Sequence, residues 1–165
     1  MMLDAVIITK NEQYRIQGSI ERLLPYLDRI LVVDDSTDKT ADIAMSMGAE
    51  VHILRNSRPV DARNHADEIL GEGWHLHVDA DEIFDPYFLK NISMYTSDGA
   101  YRFPRINQPG AFDYPDYQIR WFKWKPGIEW IGHPHEVLSG IKDTFTLTFN
   151  ILHGERNNEL NRPWW

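Results

Sequence analysis

Short apolar runs alternate with helical patterns through the first half of the chain, and this alternation limits the fold more than any other feature. The runs are rich in Val and Ile and fall at residues 3–9, 30–33, 51–54 and 75–78. Such continuous apolar runs are typical of strands that are covered on both faces. Strands that alternate with helices form right-handed βαβ units. The sequence therefore predicts an α/β fold with a doubly wound, mostly parallel sheet.

The segments between these strands carry helix signals. Asn11 and Glu12 are predicted to open the first helix, because Ile16, Ile20 and Leu23 then recur at helical spacing. Further helices are predicted after residue 37, over residues 60–70 and over residues 87–94. In a sheet of this kind, ligands bind at the carboxyl ends of the strands.

The second half has a different texture. Residues 100–106, 117–123, 128–131 and 144–152 have strand patterns separated by Pro, Gly and Asp turns. These strands are predicted to be mixed or antiparallel. A chain of 165 residues fits one compact domain, so residues 1–165 are interpreted as a single unit.

Charge and composition exclude some classes of protein. A formal net charge of −8 disfavours a nucleic-acid partner, which needs clustered Lys and Arg. The sequence has no apolar run long enough for a transmembrane helix, and its start has no basic segment typical of a signal peptide. We therefore expect a cytoplasmic protein. The absence of cysteine excludes disulfides and thiolate metal sites.

Three carboxylates follow the fourth predicted strand within four positions: Asp79, Asp81 and Glu82. Like charges this close repel one another unless a cation or strong hydrogen-bond donors offset them. On an extended backbone Asp79 and Asp81 would point to the same side. Hard oxygen ligands suit Mg²⁺ or Mn²⁺. The cluster predicts a divalent metal or a polarised substrate, and the alternative is an acidic loop or the start of the next helix.

Four motifs in this order resemble family 2 glycosyltransferases, and they lie at residues 7–12, 32–40, 61–66 and 78–82. The run at residues 34–38 is one residue shorter than the family's usual acidic run. A further element, Gly132 to Glu136, resembles the branch that contains lipopolysaccharide-core β-glucosyltransferases. The resemblance implies a GT-A fold and an inverting transfer of a hexose from a nucleotide-diphosphate sugar. It also implies a divalent metal, Mn²⁺ or Mg²⁺, and a carbohydrate or lipid-linked acceptor.

By the same resemblance, residues 1–98 form the nucleotide-binding half and residues 99–165 the acceptor and catalytic half. UDP is the favoured nucleotide and GDP the alternative. The resemblance implies that Thr9 and Glu12 contact the nucleotide and that at least one of Asp34 and Asp35 recognises the base. On local grounds Glu12 is equally a carboxylate favoured by a helix dipole, and Asp35 equally a helix cap.

Arg63 suits the diphosphate through its bidentate guanidinium, and the alternative is a solvated helix face. Its neighbour Asn64 is expected to orient the loop before Asp79. The resemblance assigns Asp79 to ribose and metal and Asp81 directly to the metal. His153 follows an apolar strand where the family often supplies a third metal ligand, and a structural histidine is the alternative.

Inversion requires one general base that takes the proton of the acceptor hydroxyl. Glu136 is the candidate, and His135 either orients it or contacts the donor phosphates. The alternative for Glu136 is a turn carboxylate paired with Arg120 or Lys123. Glu82, next to the metal, is expected to brace the site.

Three tryptophans, Trp121, Trp124 and Trp130, are interpreted either as an acceptor platform or as core. The last residues, 161–165, fit an ordered end, an oligomer contact or a remnant of a longer ancestor. Three other functions stay open. They are a catalytically silent nucleotide-sugar-binding module, a nucleotidyltransferase, and an acidic structural protein. A nucleotidyltransferase usually carries a Gly-rich basic loop after its first strand, and this sequence has none there.

Overall fold

The computed structural model describes residues 1–107, 116–133 and 135–154. The strands of the first half are β1 (Leu3–Thr9), β2 (Arg29–Asp34), β3 (Glu50–Ile53), β4 (Gly73–Asp79) and β5 (Glu82–Phe84). The later strands are β6 (Ala100–Asn107), β7 (Asp116–Trp124), β8 (Glu129–Ile131), β9 (Val137–Ser139), β10 (Thr144–Thr146) and β11 (Ile151–His153). The helices are α1 (Ile16–Leu23), α2 (Thr40–Ser46), α3 (Pro59–Leu70) and α4 (Pro86–Lys90), followed by a 3₁₀ turn at Ile92–Met94.

One large mixed sheet runs through the described residues in the order β3-β2-β1-β4-β7-β6-β11-β5, with β10 paired to β6. Strands β1 to β4 pair with one another in parallel, as predicted. The chain passes from β1 out to β3 and then returns to β4 on the other side of β1, so the direction of winding reverses between β1 and β4. A crevice forms at the carboxyl ends of the strands at such a reversal.

Helices cover both faces of the parallel strands, because successive strand residues point to opposite sides. Ala5 and Ile7 of β1 belong to the same core cluster as Ile20 of α1 and Ala44 of α2. Val6, between them, packs on the other side with Ala62 and Ala66 of α3. The α/β, doubly wound interpretation is therefore confirmed.

The second half extends this sheet with antiparallel strands. β7 pairs antiparallel with both β4 and β6, which confirms the predicted mixed arrangement. β8 and β9 form a separate hairpin that packs against α3. The Asn64 side chain joins the two, since its amide nitrogen donates to the Trp130 carbonyl at 2.9 Å and its oxygen accepts from the Trp130 N–H at 2.7 Å. The prediction that Asn64 orients the loop before Asp79 is wrong.

Helix α1 begins at Ile16, later than predicted. Asn11 has a left-handed backbone (φ 58°), so the chain cannot continue as a helix there. The segment after β1 is instead an irregular loop attached to the β2–α2 loop. The Asn11 N–H donates to Ser36 Oγ at 2.6 Å and the Glu12 N–H donates to Thr40 Oγ1 at 2.9 Å.

The tryptophans are mainly core residues. Trp121 is fully buried and stacks on Trp74 at 5.1 Å between ring centroids. Trp130 is buried against Phe122, and the half-buried Trp124 donates to the Ile128 carbonyl. The core alternative is therefore confirmed over the acceptor platform. Within the described residues, no helix has the length and apolarity needed to cross a membrane.

Candidate functional site

A cavity of about 680 Å³ opens at the carboxyl ends of β1, β2 and β4, where the winding of the sheet reverses. Nearly all the predicted site residues line it: Thr9, Glu12, Asp35, Arg63, Asp79, Asp81, Glu136 and His153. They come from β1, the β2–α2 loop, α3, the tip of β4, the β8–β9 hairpin and β11. The fold thus gathers residues from both halves of the chain around one volume.

Asp79, the last residue of β4, is held by two arginines. Its Oδ1 lies 2.5 Å from Arg63 Nη2, and its Oδ2 lies 3.0 Å from Arg120 Nη2. Burial on its own would raise the pKa of Asp79, but the charges of Arg63 and Arg120 outweigh it and hold the pKa well below its usual range. Asp79 is therefore an anion whose two oxygens already have cationic partners.

Glu82 braces this arrangement from below, in agreement with its predicted role. Its fully buried carboxylate accepts from Arg120 Nε at 2.9 Å and Nη2 at 2.8 Å, and from the Asp79 N–H at 3.1 Å. Burial would lower the pKa of Arg120, but the carboxylates of Glu82, Asp79 and Glu136 outweigh this effect and raise it. Arg120 was predicted only as a partner of Glu136, and the structure makes it the centre of the cluster.

Asp81 and His153 converge on the cavity from distant parts of the chain. Strand β4 ends at Asp79, and Ala80 and Asp81 form a turn, so the extended geometry predicted for Asp79 and Asp81 is wrong. The turn is fixed by a hydrogen bond of 2.8 Å from Ser19 Oγ to the Ala80 carbonyl. β5 and β11 then pair, and His153 Nε2 comes within 3.2 Å of Asp81 Oδ2.

A divalent cation fits Asp81 and His153 better than it fits Asp79. A carboxylate oxygen and an imidazole nitrogen at this separation, both facing the cavity, are suitable donors for Mn²⁺ or Mg²⁺. The oxygens of Asp79 are instead engaged by guanidinium groups. The hydrogen bond from His153 to Asp81 raises the pKa of His153. A cation in this position would replace the proton that the two side chains share.

The two acidic residues after β2 have different environments. Asp34 is fully buried, and its oxygens accept from Thr9 Oγ1 at 2.6 Å, Ser36 Oγ at 2.5 Å and the Ser36 N–H at 3.1 Å. Asp35 lines the cavity and binds Lys10 Nζ at 2.9 Å. That hydrogen bond, together with one from the Asn56 N–H, lowers the pKa of Asp35. Of this pair, Asp35 is the one placed to meet a ligand, whereas Asp34 organises the loop.

The loop after β1 forms one wall of the cavity. Thr9 is buried, and its hydroxyl group donates a hydrogen bond to Asp34. Its predicted contact with a nucleotide is therefore limited to the part of its surface that faces the cavity. Glu12 forms an ion pair of 2.8 Å with Arg15, and both side chains line the same wall. Lys10 is largely exposed beside Asp35. This wall therefore offers cations as well as carboxylates.

Glu136 lies between β8 and β9 and reaches the cavity, whereas His135 is exposed. Gly132, at the start of the same turn, has φ 93°, and a Cβ there would lie 2.7 Å from the His135 carbonyl oxygen. The tight turn thus requires glycine. Pro134, in the element that suggested this branch, lies outside the described residues, as do residues 161–165.

A fully buried cluster below Asp79 was not predicted. Asp67 Oδ1 lies 2.7 Å from His75 Nδ1 and 2.8 Å from His77 Nε2, and Asp67 Oδ2 accepts from Trp130 Nε1 at 3.1 Å. Among the described residues, Asp67, His75 and His77 form the one group of three such ligand atoms within 4.8 Å of one another. The predicted metal set of Asp79, Asp81 and His153 is not gathered in this way.

The pKa values in this cluster follow from burial and charge. Burial lowers the pKa of His77 to about 4, even though Asp67 opposes the shift. Burial alone would raise the pKa of Asp67, but His77 and His75 outweigh it and lower the pKa to about 2. Near neutral pH the cluster therefore consists of a carboxylate anion and a neutral His77.

The feature of the sequence that indicates this cluster is the spacing of its residues. Arg63 and Asp67 share a face of α3, and His75, His77 and Asp79 share a face of β4.

Comparison with known proteins identifies the family of the chain. The profile of glycosyl transferase family 2 matches residues 4–152, and the chain belongs to this family. An uncharacterized glycosyltransferase of Rickettsia bellii (strain RML369-C) is 42% identical over 81 residues, which cover 48% of this chain and 28% of the relative. One from Rickettsia felis (strain ATCC VR-1525 / URRWXCal2) is 38% identical over 81 residues, covering 48% of this chain and 29% of the relative. These alignments span less than a third of either relative.

Solved structures share the fold. Mannosyl-3-phosphoglycerate synthase from Rubrobacter xylanophilus is similar with a TM-score of 0.56 and 25% identity, over 67% of this chain and 42% of that chain. S. aureus TarS 1-349 is similar with a TM-score of 0.56 and 23% identity, over 68% of this chain and 38% of that chain. A putative glucose-1-phosphate thymidylyltransferase from Bacillus anthracis has a TM-score of 0.51 at 10% identity, over 73% of this chain and 71% of that chain. The predicted GT-A fold is confirmed. The likeness to the lipopolysaccharide-core branch stays a prediction.

Proposed function

We propose that this chain is a metal-dependent, inverting glycosyltransferase that moves a hexose from a nucleotide-diphosphate sugar to a carbohydrate or lipid-linked acceptor. One observation carries the proposal. Asp35, Arg63, Asp81, His153 and Glu136 converge on one cavity at the carboxyl ends of the parallel strands. A cavity of about 680 Å³ is within the usual range for a small-molecule site.

The donor is bound along the strand ends. Asp35 accepts hydrogen bonds from the base or the ribose, and Thr9 and Glu12 line the wall beside it. Arg63 faces the diphosphate, because its side chain lines the cavity beside Asp79. A planar, cationic guanidinium suits phosphate oxygens. We favour UDP over GDP as the nucleotide.

The leaving group requires charge stabilisation. Asp81 and His153 would hold the divalent cation, whose chemistry when bound is Lewis-acid stabilisation of the departing nucleoside diphosphate. Asp79, fixed by Arg63 and Arg120, lies beside them and orients Arg63 toward the phosphates. In this arrangement the protein's own cations share the charge of the diphosphate with the metal.

Glu136 acts as the general base. It lines the cavity from the turn between β8 and β9, which is separate in the chain from the strand ends that carry the donor-binding residues. Single displacement at the anomeric carbon needs a base on the acceptor side, which takes the hydroxyl proton as the new bond forms. His135 is exposed next to it, so a contact of His135 with the acceptor is more consistent with its position than a contact with the phosphates.

A second candidate, a nucleotidyltransferase, is supported by fold alone, which is shared with the thymidylyltransferase at 10% identity among other structures. Residues 10–15, which follow β1, contain no glycine, whereas phosphate loops of such enzymes are glycine-rich. A silent nucleotide-sugar-binding module is another alternative. It shares the cavity but lacks turnover.

A thermal-shift panel with donor hydrolysis tests the proposal. UDP or GDP with Mn²⁺ should raise the melting temperature by roughly 5 to 10 °C at a hundredfold excess over Kd, and the nucleotide without metal should not. Slow metal-dependent hydrolysis of a UDP- or GDP-sugar separates an enzyme from a silent binder. Release of pyrophosphate from a nucleoside triphosphate and a sugar phosphate would favour the nucleotidyltransferase. The absence of any nucleotide-dependent shift would contradict the proposed function.

A further inference from the structure

The buried cluster below the cavity is in direct contact with the site. Arg63 Nη1 lies 3.4 Å from Nδ1 of His77, and Nη2 of the same guanidinium binds Asp79. His77 Nε2 faces Asp67 on its other side. An unbroken row of polar contacts therefore leads from the core, through Asp67 and His77, to Arg63 and Asp79.

The partners of His77 fix which of its nitrogens carries hydrogen. An ionised carboxylate only accepts, so the Nε2 that faces Asp67 must be the N–H. A guanidinium only donates hydrogen bonds, so the Nδ1 that faces Arg63 must carry no hydrogen and act as the acceptor. Asp67 is itself held by the Trp130 N–H, which donates to its other oxygen and keeps Oδ1 toward His77.

We propose that Asp67 and His77 position Arg63 for the donor, with His77 held as the Nε2–H tautomer so that its Nδ1 accepts a hydrogen bond from the Arg63 guanidinium. This inference rests on the proposed function, because it assigns Arg63 to donor binding. His77 is a positioning residue, since it is fully buried and acts through Arg63. The ring of Trp130 supports the same guanidinium from 5.1 Å.

Three substitutions separate positioning from simple core packing. In His77→Asn the side-chain amide can place its oxygen where Nδ1 lies, which keeps the acceptor for Arg63 but loses the contact with Asp67. In His77→Gln the amide nitrogen can reach Asp67, but the acceptor for Arg63 is lost. His75→Gln is the matched control, because His75 is equally buried and faces the same Asp67 oxygen, while the contact with Arg63 belongs to His77.

The first measurement needs neither a ligand nor a variant. Long-range ¹H–¹⁵N spectra of the wild-type protein report the tautomer of each histidine, and we expect His77 to carry hydrogen on Nε2. Hydrogen on Nδ1 would overturn the proposal even if every variant failed to fold.

The second measurement compares the ligand-free crystal structures of the variants and their Kd for UDP with Mn²⁺. We expect Arg63 to keep its contact with Asp79 in His77→Asn and His75→Gln and to lose it in His77→Gln. The Kd should rise roughly tenfold or more in His77→Gln and about twofold or less in the other two. An unchanged Arg63 in His77→Gln, or an equal loss of affinity in His75→Gln, would overturn the positioning role. If the wild type binds no nucleotide, the proposed function fails, and the tautomer and the position of Arg63 still decide this inference.

Discussion

His153 Nε2 lies 3.2 Å from Asp81 Oδ2, which joins the last described strand of the chain to the turn that follows β4. The contact depends on the antiparallel pairing of β5 with β11, in which His153 is opposite Glu82. A second link closes the same corner, since the Gly154 N–H donates to the Asp81 carbonyl at 2.9 Å. The candidate metal ligands are therefore positioned by backbone hydrogen bonds between the two halves of the chain.

Asp34 and Asp35 are expected to respond differently to substitution. Asp34→Ala should lower the free energy of unfolding by about 1–3 kcal/mol, because Thr9 and Ser36 would lose their buried acceptor. Asp35→Asn should leave stability nearly unchanged but weaken nucleotide binding, because this side chain lines the cavity. Urea unfolding and UDP titration of both variants test this. Equal loss of stability in the two, or unchanged affinity in Asp35→Asn, would contradict the assignment.

Glu136→Gln should abolish sugar transfer and leave donor binding intact. The amide keeps the shape of the side chain but cannot take a proton, and a lost general base typically costs about 10²–10⁴-fold in rate. Glu129→Gln is the matched control, since Glu129 is an exposed carboxylate in the same hairpin. Product formation is measured with saturating donor. Wild-type turnover in Glu136→Gln would exclude Glu136 as the base.

Stability should fall as the pH drops from 6.5 toward 4, partly because of His77. In the unfolded chain a histidine takes up a proton near pH 6.5, whereas burial keeps His77 neutral in the folded protein until about pH 4. Protonation in this window therefore favours the unfolded state, by at most about 3 kcal/mol. The His77→Gln variant has no group that takes up a proton at this position, so its free energy of unfolding relative to that of the wild type should increase as the pH falls. Parallel stability curves for the two proteins would contradict this account.

Arg120→Met should be strongly destabilising. It would leave the fully buried Glu82 carboxylate with only the longer contact of 3.8 Å to Arg105 Nη1 as an ion pair among the described residues, and removing one partner of a buried pair costs about 3–5 kcal/mol. The double variant Arg120→Met with Glu82→Met should recover part of the loss. Arg58→Met, which breaks an exposed ion pair with Asp61, is the control and should leave the unfolding midpoint unchanged within error. Equal effects of Arg120→Met and Arg58→Met would contradict the buried role.

Much of the first half of the fold follows from local pattern. The strands from β1 to β4 and helix α3 lie within two residues of their predicted bounds, because apolar periodicity there coincides with burial. The start of α1 could not be predicted, since the loop before it is held by Ser36 and Thr40 from another segment. Long-range hydrogen bonds of this kind leave no local signal.

The site was predictable in its residue types more than in its partners. The acidic turn after β4, Arg63 and Glu136 were identified from motifs, and they share one cavity. The ion pair between Asp79 and Arg120 was not predictable in this way. Arg120 lies on β7, so the contact depends on β7 being the strand next to β4. The apolar pattern of residues 75–78 predicts a strand and gives no sign of a polar cluster, although the spacing of His75 and His77 places both on the face of Asp79.

Anomalous diffraction from a crystal soaked with Mn²⁺ and UDP tests the central claim most directly. We expect a manganese peak at about 2.0–2.4 Å from Asp81 and His153, with the UDP phosphates completing its coordination and Arg63 beside them. A manganese peak between Asp67, His75 and His77, or a nucleotide bound without metal at Asp81, would contradict the account.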